Sequence, residues 1–377
     1  MDDRERIASR LRQAREAAKL TQEEVATVLK LPRPSISQIE SGRRGVRSEE
    51  LSKLAQLYGK PVAFFLGERE EEPLAVLFRA PDVKEEDRKL LEMGLTLCKG
   101  YKELEEILDM EPEDPLQFSG VPRPRSKGEA IRHGEIIAKK ARDLMKLGLA
   151  PIRDLAGLLE VNSVKVLRFV FRTEVSGAFA YSEELGACVF VNSGHAATRQ
   201  NFTLAHEYCH TLLDWERRAQ LDLNGLNKDK DPVETRADVF AAAFLMPGDA
   251  LSQFFQRMGI AAPKKHSFGP YDVARIAAHF NASRPAVIWR LLNLGYIDNK
   301  TRDELKDVGW PQVLAALGIR ERDQRAKVPG KVSQERLRDM AVEAYRRGRI
   351  SLGKLGGYLG MTLTQAKEFV HKAQIEP

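Results

Sequence analysis

The densest concentration of chemically capable side chains in this sequence is the run Thr203–Leu213, TLAHEYCHTLL. It holds His206, Glu207 and His210. Residues four apart share one face of a helix, so both imidazoles would point at a single cation. Glu207 projects beside them, where it can take a proton from water. Two histidines at this spacing with an intervening glutamate form the ligand-and-base pattern of zinc-assisted hydrolysis. Such a centre takes three protein donors and leaves one coordination position open. No third histidine follows at once, since the residues after His210 read TLLDWERR. Val233–Pro247 (VETRADVFAAAFLMP) offers carboxylates instead. Glu234 and Asp238 lie on one helical face, with Phe240, Ala241, Phe244 and Leu245 as its apolar side. Glu234 as third ligand and Asp238 as acceptor for a ligand imidazole N–H would complete the centre. The competing reading is a solvated acidic face paired with Arg236 or Lys230. Zinc is the expected ion, and manganese is compatible with nitrogen and oxygen donors.

Rigid elements must hold these groups. Phe202, Leu204, Ala205, Leu212 and Leu213 would bury the back of the first helix. Ahead of it the period changes to that of strands: Val164–Val170, Gly177–Tyr181 and Ala187–Val191, the last two joined by a hairpin loop at Ser182–Gly186. Cys188–Asn192 directly precedes the helix, and as a sheet edge it would pair with an extended substrate. His266, Tyr271 and His279 are candidates for stabilising an oxyanion. From 196 onward the pattern is helical. Helical pattern also covers 74–111, 128–147 and 151–160. Glu68–Pro73 is a charge run that reads as a solvated linker, and Pro112–Arg125, with four prolines, reads as a second linker or a long ordered loop.

Composition narrows the class. The chain has 377 residues, 43% hydrophobic and 30% charged, with 60 Lys+Arg against 54 Asp+Glu and 3 cysteines. That length implies several domains, the mild positive balance permits a nucleic-acid partner, and three scattered cysteines exclude a disulfide framework. With a charged start and no long apolar run, the expectation is a cytoplasmic protein without a membrane segment.

Arg199–Leu213 followed by Glu234–Pro247 resembles the ImmA/IrrE family of bacterial zinc peptidases, over roughly 128–298. The resemblance implies a gluzincin-like metalloprotease that cleaves repressor proteins, with His206, His210 and Glu234 as metal ligands and Glu207 as general base. Cys209 stands where the family usually has a small residue. It can pack as a small apolar group, or act as a redox-sensing thiol beside the metal.

The N-terminal stretch Leu20–Gly42 carries an N-cap at Thr21 and a capping box completed by Glu24. Ala26 is small where two helices would cross, and Leu31, Ile36 and Ile39 pack the second helix. Through Gln22, Ala26, Ile36, Glu40 and Gly42 this stretch resembles the Cro/C1-type helix-turn-helix of XRE-family regulators. It departs at Lys30, where the turn usually carries glycine. The resemblance implies a recognition helix starting near Arg33. Arg33 and Gln38 would read bases, and Gln22, Ser35, Arg43 and Arg44 would contact phosphates. Residues 1–67 hold 13 Lys+Arg against 9 Asp+Glu.

Residues 318–354 hold 11 Lys+Arg against 5 Asp+Glu. They and the helices that follow read either as a second helix-turn-helix-like unit or as a solvated basic face. Asn281–Leu294 also has such spacing, with Trp289 and Leu292 expected in a core. The expected fold is mainly α with a small β-sheet (α+β). A five-helix DNA-binding domain at 1–67 would lead through a helical linker at 68–127 to a zincin-like peptidase domain with a short sheet at 128–298. A basic helical region at 299–377 would follow. The expected function is a DNA-binding transcriptional regulator, dimeric on a double-stranded operator. Its zinc peptidase would cleave a repressor, antitoxin or other regulatory protein in a stress, DNA-damage or phage-related response. The alternative is a regulator whose peptidase-like domain only senses a ligand or metal.

Overall fold

The computed structural model describes residues 3–17, 20–29, 31–58, 62, 65, 85–110, 118, 120–171, 175–182, 185–214, 219–223, 231–319 and 335–375. Lys30 and the charge run at 68–73 lie outside them, as do Lys230 and much of the proline-rich stretch. The chain forms two compact units, Met1–Val76 and Leu77–Pro377.

In the first unit four helices are described: α1 (Asp3–Ala17), α2 (Gln22–Leu29), α3 (Arg33–Glu40) and α4 (Ser48–Tyr58). Most of the stretch expected to hold a fifth is outside the described residues. The capping box opens α2 as the sequence requires: Glu24 N–H donates to Thr21 Oγ1 at 3.2 Å and Thr21 N–H to Glu24 Oε2 at 2.7 Å. Val25, Ala26 and Leu29 face Ile36 and Ile39 in one buried cluster with Leu11, Leu51 and Leu54. Gly42 closes α3 at φ 73°, a left-handed conformation that favours glycine.

The second unit is built around a four-stranded sheet. Its strands are β1 (Val164–Phe169), β2 (Val175–Ser182), β3 (Gly186–Asn192) and β4 (Ala219–Leu223), in the order β1-β3-β2-β4. The hairpin expectation holds: β2 and β3 are antiparallel with Ser182 opposite Gly186. Two expectations are corrected. β4 interrupts what read as continuous helix after 196, pairing antiparallel with β2. And β3 is no sheet edge, because β1 pairs with it in parallel on its other side. Substrate pairing on Cys188–Asn192 is therefore excluded, since its ladder is filled on both sides.

Three helices precede the strands: α5 (Glu85–Ile107), α6 (Lys127–Leu144) and α7 (Leu155–Val161). Two more carry the candidate ligands, α8 (Ala197–Leu213) and α9 (Pro232–Leu245). The sheet is covered on both faces, which explains its unbroken apolar runs. Val189 and Val191 join the core under α8. On the opposite face Gly94 of α5 lies so close to Phe190 and Phe169 that an added Cβ would meet the Phe190 ring at 2.7 Å. The segment expected as a linker thus carries a helix packed on the sheet. Gly134 of α6 allows similar closeness to α9, where a Cβ would meet Val239 at 2.7 Å.

The remaining helices are α10 (Gly248–Arg257), α11 (Pro270–Phe280), α12 (Arg284–Asn293), α13 (Asn299–Lys306), α14 (Trp310–Ala316), α15 (Glu335–Arg346), α16 (Leu352–Leu359) and α17 (Leu363–Lys372). Val287, Ile288 and Leu291 of α12 are core, whereas Trp289 and Leu292, expected there, are only half-buried. Leu337, Met340, Ala341 and Leu355 pack with Tyr101 and Leu104 of α5. Residues 320–334 of the basic stretch lie outside the described residues; among the described ones Arg347 pairs with Glu343, Arg349 with Asp109 and Lys354 with Glu103. No helix among the described residues is long and apolar enough to cross a membrane.

Candidate metal centre and nucleic-acid interface

Helix α8 is buried without a break from Thr203 to Leu212, which fixes the side chains on its functional face. His206, Glu207 and His210 are each 1% exposed or less. The Nε2 atoms of His206 and His210 lie 3.2 Å apart. Glu234 on α9 reaches both, with Oε2 3.2 Å from His206 Nε2 and Oε1 3.7 Å from His210 Nε2. His206, His210 and Glu234 thus offer ligand atoms within 4.8 Å of one another.

The outer ring nitrogens fix the chemistry of the inner ones. His206 Nδ1 is 3.0 Å from Asp238 Oδ1, and His210 Nδ1 is 2.8 Å from Asp214 Oδ2. A carboxylate only accepts, so each Nδ1 carries a proton, and in the neutral rings each Nε2 then turns a lone pair inward. Two lone pairs and a carboxylate converging in a buried space repel one another unless a cation sits among them. The donor set of two imidazoles and one carboxylate matches a divalent metal of the zinc type.

Asp238 stands where the sequence placed it. Asp214 was not anticipated, although its position four residues after His210 carried the signal. Arg236, which the acidic-face reading paired with Glu234 or Asp238, instead donates to both oxygens of Asp214 at 2.7 Å. Burial pushes the Asp214 carboxyl up, but the His210 bond and the Arg236 guanidinium outweigh it and hold the group below the ordinary carboxylate value. Phe179 of β2 stacks on the His210 ring at 5.5 Å and 14°. Gly177 of the same strand passes so close to α8 that a Cβ would lie 2.5 Å from Thr203 Cγ2 and 3.1 Å from Glu207 Oε1. Neither residue was legible as part of the site.

Two of the three oxyanion candidates make other contacts, His266 with Asp272 at 3.1 Å and His279 stacked on Phe254, and Tyr271 is half exposed. Cys209 is fully buried in the main core, and burial pushes its thiol well up. That environment suits a packed apolar group, since a reactive thiol needs exposure and thiolate character.

In the first unit Arg33 opens α3 and is exposed, with Glu23 3.7 Å away. Gln38 and Arg43 are also exposed, and Ser35 is half-buried. Pro34 sits in the first turn, where no N–H partner is needed. Two expected phosphate contacts hold the module together as well. Gln22 donates to Glu40 at 2.8 Å, beside the Arg15–Glu40 pair at 2.7 Å, and Arg44 donates to Glu50 at 2.7 Å.

Residues 11–65 match the family described as Helix-turn-helix, and residues 159–292 match the IrrE N-terminal-like domain, a metallopeptidase family whose membership implies a divalent metal. The radiation response metalloprotease IrrE of Deinococcus radiodurans is 28% identical over 157 residues, covering 36% of this chain and 47% of the relative. The chain thus spans about half the length of that protein. A crystal structure of ComR from Streptococcus suis aligns over 99% of this chain and 91% of that one at 11% identity, but its TM-score of 0.17 carries no structural argument. Residues 11–65 and 159–292 therefore place a helix-turn-helix DNA-binding domain and an IrrE N-terminal-like metallopeptidase-family domain on one chain.

Proposed function

We propose that this protein is a transcriptional regulator that binds duplex DNA through residues 5–67, as a dimer. Its second unit hydrolyses a peptide bond in another regulatory protein, a repressor or antitoxin, during a stress response. The observation that carries the reading is the convergence of His206, His210 and Glu234, with both histidines clamped from behind by carboxylates. Zinc is the proposed ion and manganese an allowed substitute. A bound divalent ion would supply Lewis acidity, lowering the pKa of water and polarising a carbonyl.

The chain's own groups do the rest. Glu207 follows a ligand directly on α8 and is buried beside Gly177 of β2, so its carboxylate takes the proton from water and returns it to the leaving amine. Asp238 and Asp214 keep the ligand rings oriented. A site buried to this degree holds little bulk water, which strengthens each of these interactions. The name of the Deinococcus relative, a radiation response metalloprotease, supports a stress setting.

The test combines metal analysis of the purified full chain with quantitative proteomics of cells carrying wild type or Glu207→Gln. Glutamine keeps the shape but accepts no proton at neutral pH, so the metal should stay and cleavage should fall about 10²–10⁴-fold. His206→Ala should lose the metal while remaining folded. A metal-loaded wild type whose cells contain no cleavage product missing from the Glu207→Gln strain would overturn the peptidase reading and leave metal sensing.

A further inference from the structure

The second unit contains a cleft of about 860 Å³ beside the candidate metal centre. One wall is α9, where Asp231, Thr235 and Asp238 repeat at helical spacing. Asp238 is also the group that bonds the His206 ring, so the cleft ends one side chain from a ligand histidine. Opposite stand α12, α13 and the start of α14. Five cationic side chains line the space, Arg125, Lys127, Arg284, Arg302 and Lys306, of which Arg302 and Lys306 share the one exposed carboxylate of Asp303 at 2.8 and 3.4 Å. Its acidic lining is Asp231 and Asp238, and both are committed. Asp231 caps α9 through Val233 N–H and accepts from Arg123, while Asp238 holds His206. Between the charges lies an apolar floor of Trp289, Trp310, Ile288 and Leu292. The Arg284 guanidinium stacks over the Trp310 ring at 5.1 Å.

This lining accounts for the half-buried state of Trp289 and Leu292. Large apolar side chains left open to a cleft, ringed by cations, form a surface shaped for an occupant with the opposite charge.

We propose that this cleft is the specificity site of the peptidase unit, and that it takes an acidic segment of the protein substrate carrying an apolar or aromatic residue. The proposal rests on the peptidase reading. The apolar residue fills the floor between Trp289 and Leu292, while carboxylates meet Arg284 and Lys306. The segment then leads past α9 towards Glu234 and Glu207. An acidic peptide is favoured over nucleic acid because the floor is aliphatic as well as aromatic and the cleft adjoins the hydrolytic centre.

Two fluorescein-labelled synthetic peptide pools test this on the full chain carrying Glu207→Gln, which holds substrate without cutting it. One pool is built from Glu, Asp, Leu, Phe and Gly, the other from Lys, Arg, Leu, Phe and Gly. Random-sequence duplex DNA is added to occupy the helix-turn-helix face. By fluorescence anisotropy the acidic pool should bind at least about tenfold more tightly, the scale of one or two screened ion pairs. The double variant Arg284→Glu/Lys306→Glu should bring the pools to parity. Lys306→Glu alone, a change at an exposed helix end where the lysine makes only a solvent-screened pair with Asp303, should produce about half of that effect in logarithmic terms. Trp289→Phe should shrink the tryptophan emission change on binding. Equal binding of the two pools overturns the proposal, as does an acidic preference that survives charge reversal or is abolished by the DNA. Cleavage of the acidic pool by wild type is read separately. Binding without cleavage supports the cleft and removes the peptidase reading, whereas cleavage with no charge preference does the reverse.

Discussion

Asp214 and Asp238 do the same job in different surroundings. Each accepts the Nδ1–H of one ligand histidine, but Asp214 is buried and also neutralises Arg236, which is 1% exposed, whereas the Asp238 side chain is 21% exposed. Removing the Asp214 charge therefore leaves a buried guanidinium without its counter-ion, a loss of the order of 3–5 kcal/mol. Asp214→Asn should lower the unfolding midpoint substantially and weaken metal binding. Asp238→Asn should weaken metal binding about 10–100-fold, the usual scale for a group behind a ligand, with stability nearly unchanged. Denaturant unfolding alongside metal titration separates the two, and equal stability losses would contradict this division of roles. The DNA-facing residues divide in a similar way. Arg33 stands exposed at the start of α3, so Arg33→Ala should relax preference at one base position by ~1–3 kcal/mol if the side chain contacts a guanine edge. Arg43, exposed beyond the end of α3, should act on phosphates, and Arg43→Ala should weaken all sequences alike and flatten the salt dependence. Wild-type binding of a selected operator by both variants would reject residues 5–67 as a DNA reader.

At the scale of elements, the site depends on how closely β2 lies over α8. Gly177 sets that distance: a methyl there would sit 2.5 Å from Thr203 Cγ2 and 3.0 Å from the Phe190 carbonyl oxygen. Backbone on one side and a buried helix on the other leave no room to yield. Gly177→Ala should therefore cost ~1–3 kcal/mol and displace the face that carries Glu207, lowering cleavage more than metal binding. Thr203→Ser removes the clashing Cγ2, so the double variant should recover much of both losses, measured by thermal unfolding and turnover. Absence of rescue would mean that the carbonyl contact dominates. This contact also marks where sequence reasoning ran out. The spacing of His206, Glu207 and His210 was legible because helix geometry is local, and Glu234 and Asp238 followed from the same rule. The capping box at Thr21 and Glu24 and the hairpin at Ser182–Gly186 were legible for that reason too. Gly177, Phe179 and β4 were not, because their roles arise from strand order. Nothing in Ala219–Leu223 (AQLDL) says that it pairs with β2 rather than extending a helix. Likewise the parallel pairing of β1 with β3, which removes the expected edge, is a choice made by the packed sheet.

At the scale of the whole molecule, a DNA-binding domain and a metallopeptidase-family domain share one chain, and each unit has its own buried core. Glu85–Ile107 packs within the second unit, so that part of the helical pattern at 74–111 belongs to this unit's own core. If the operator-bound and peptidase-active states differ in conformation, the two activities are thermodynamically linked. An inducer that activates cleavage then weakens operator affinity by the same factor that operator DNA weakens inducer binding, typically ~1–3 kcal/mol or about 5–150-fold. Reciprocity holds for binding constants alone, so both must be measured as equilibria, on the full chain carrying Glu207→Gln to prevent self-cleavage. Operator affinity is titrated with and without inducer, and inducer affinity with and without operator. Equal factors establish coupling. An inducer that leaves operator affinity unchanged while it switches on cleavage in the wild type would mean that the two units act independently, and that the fusion serves to place a protease at a promoter.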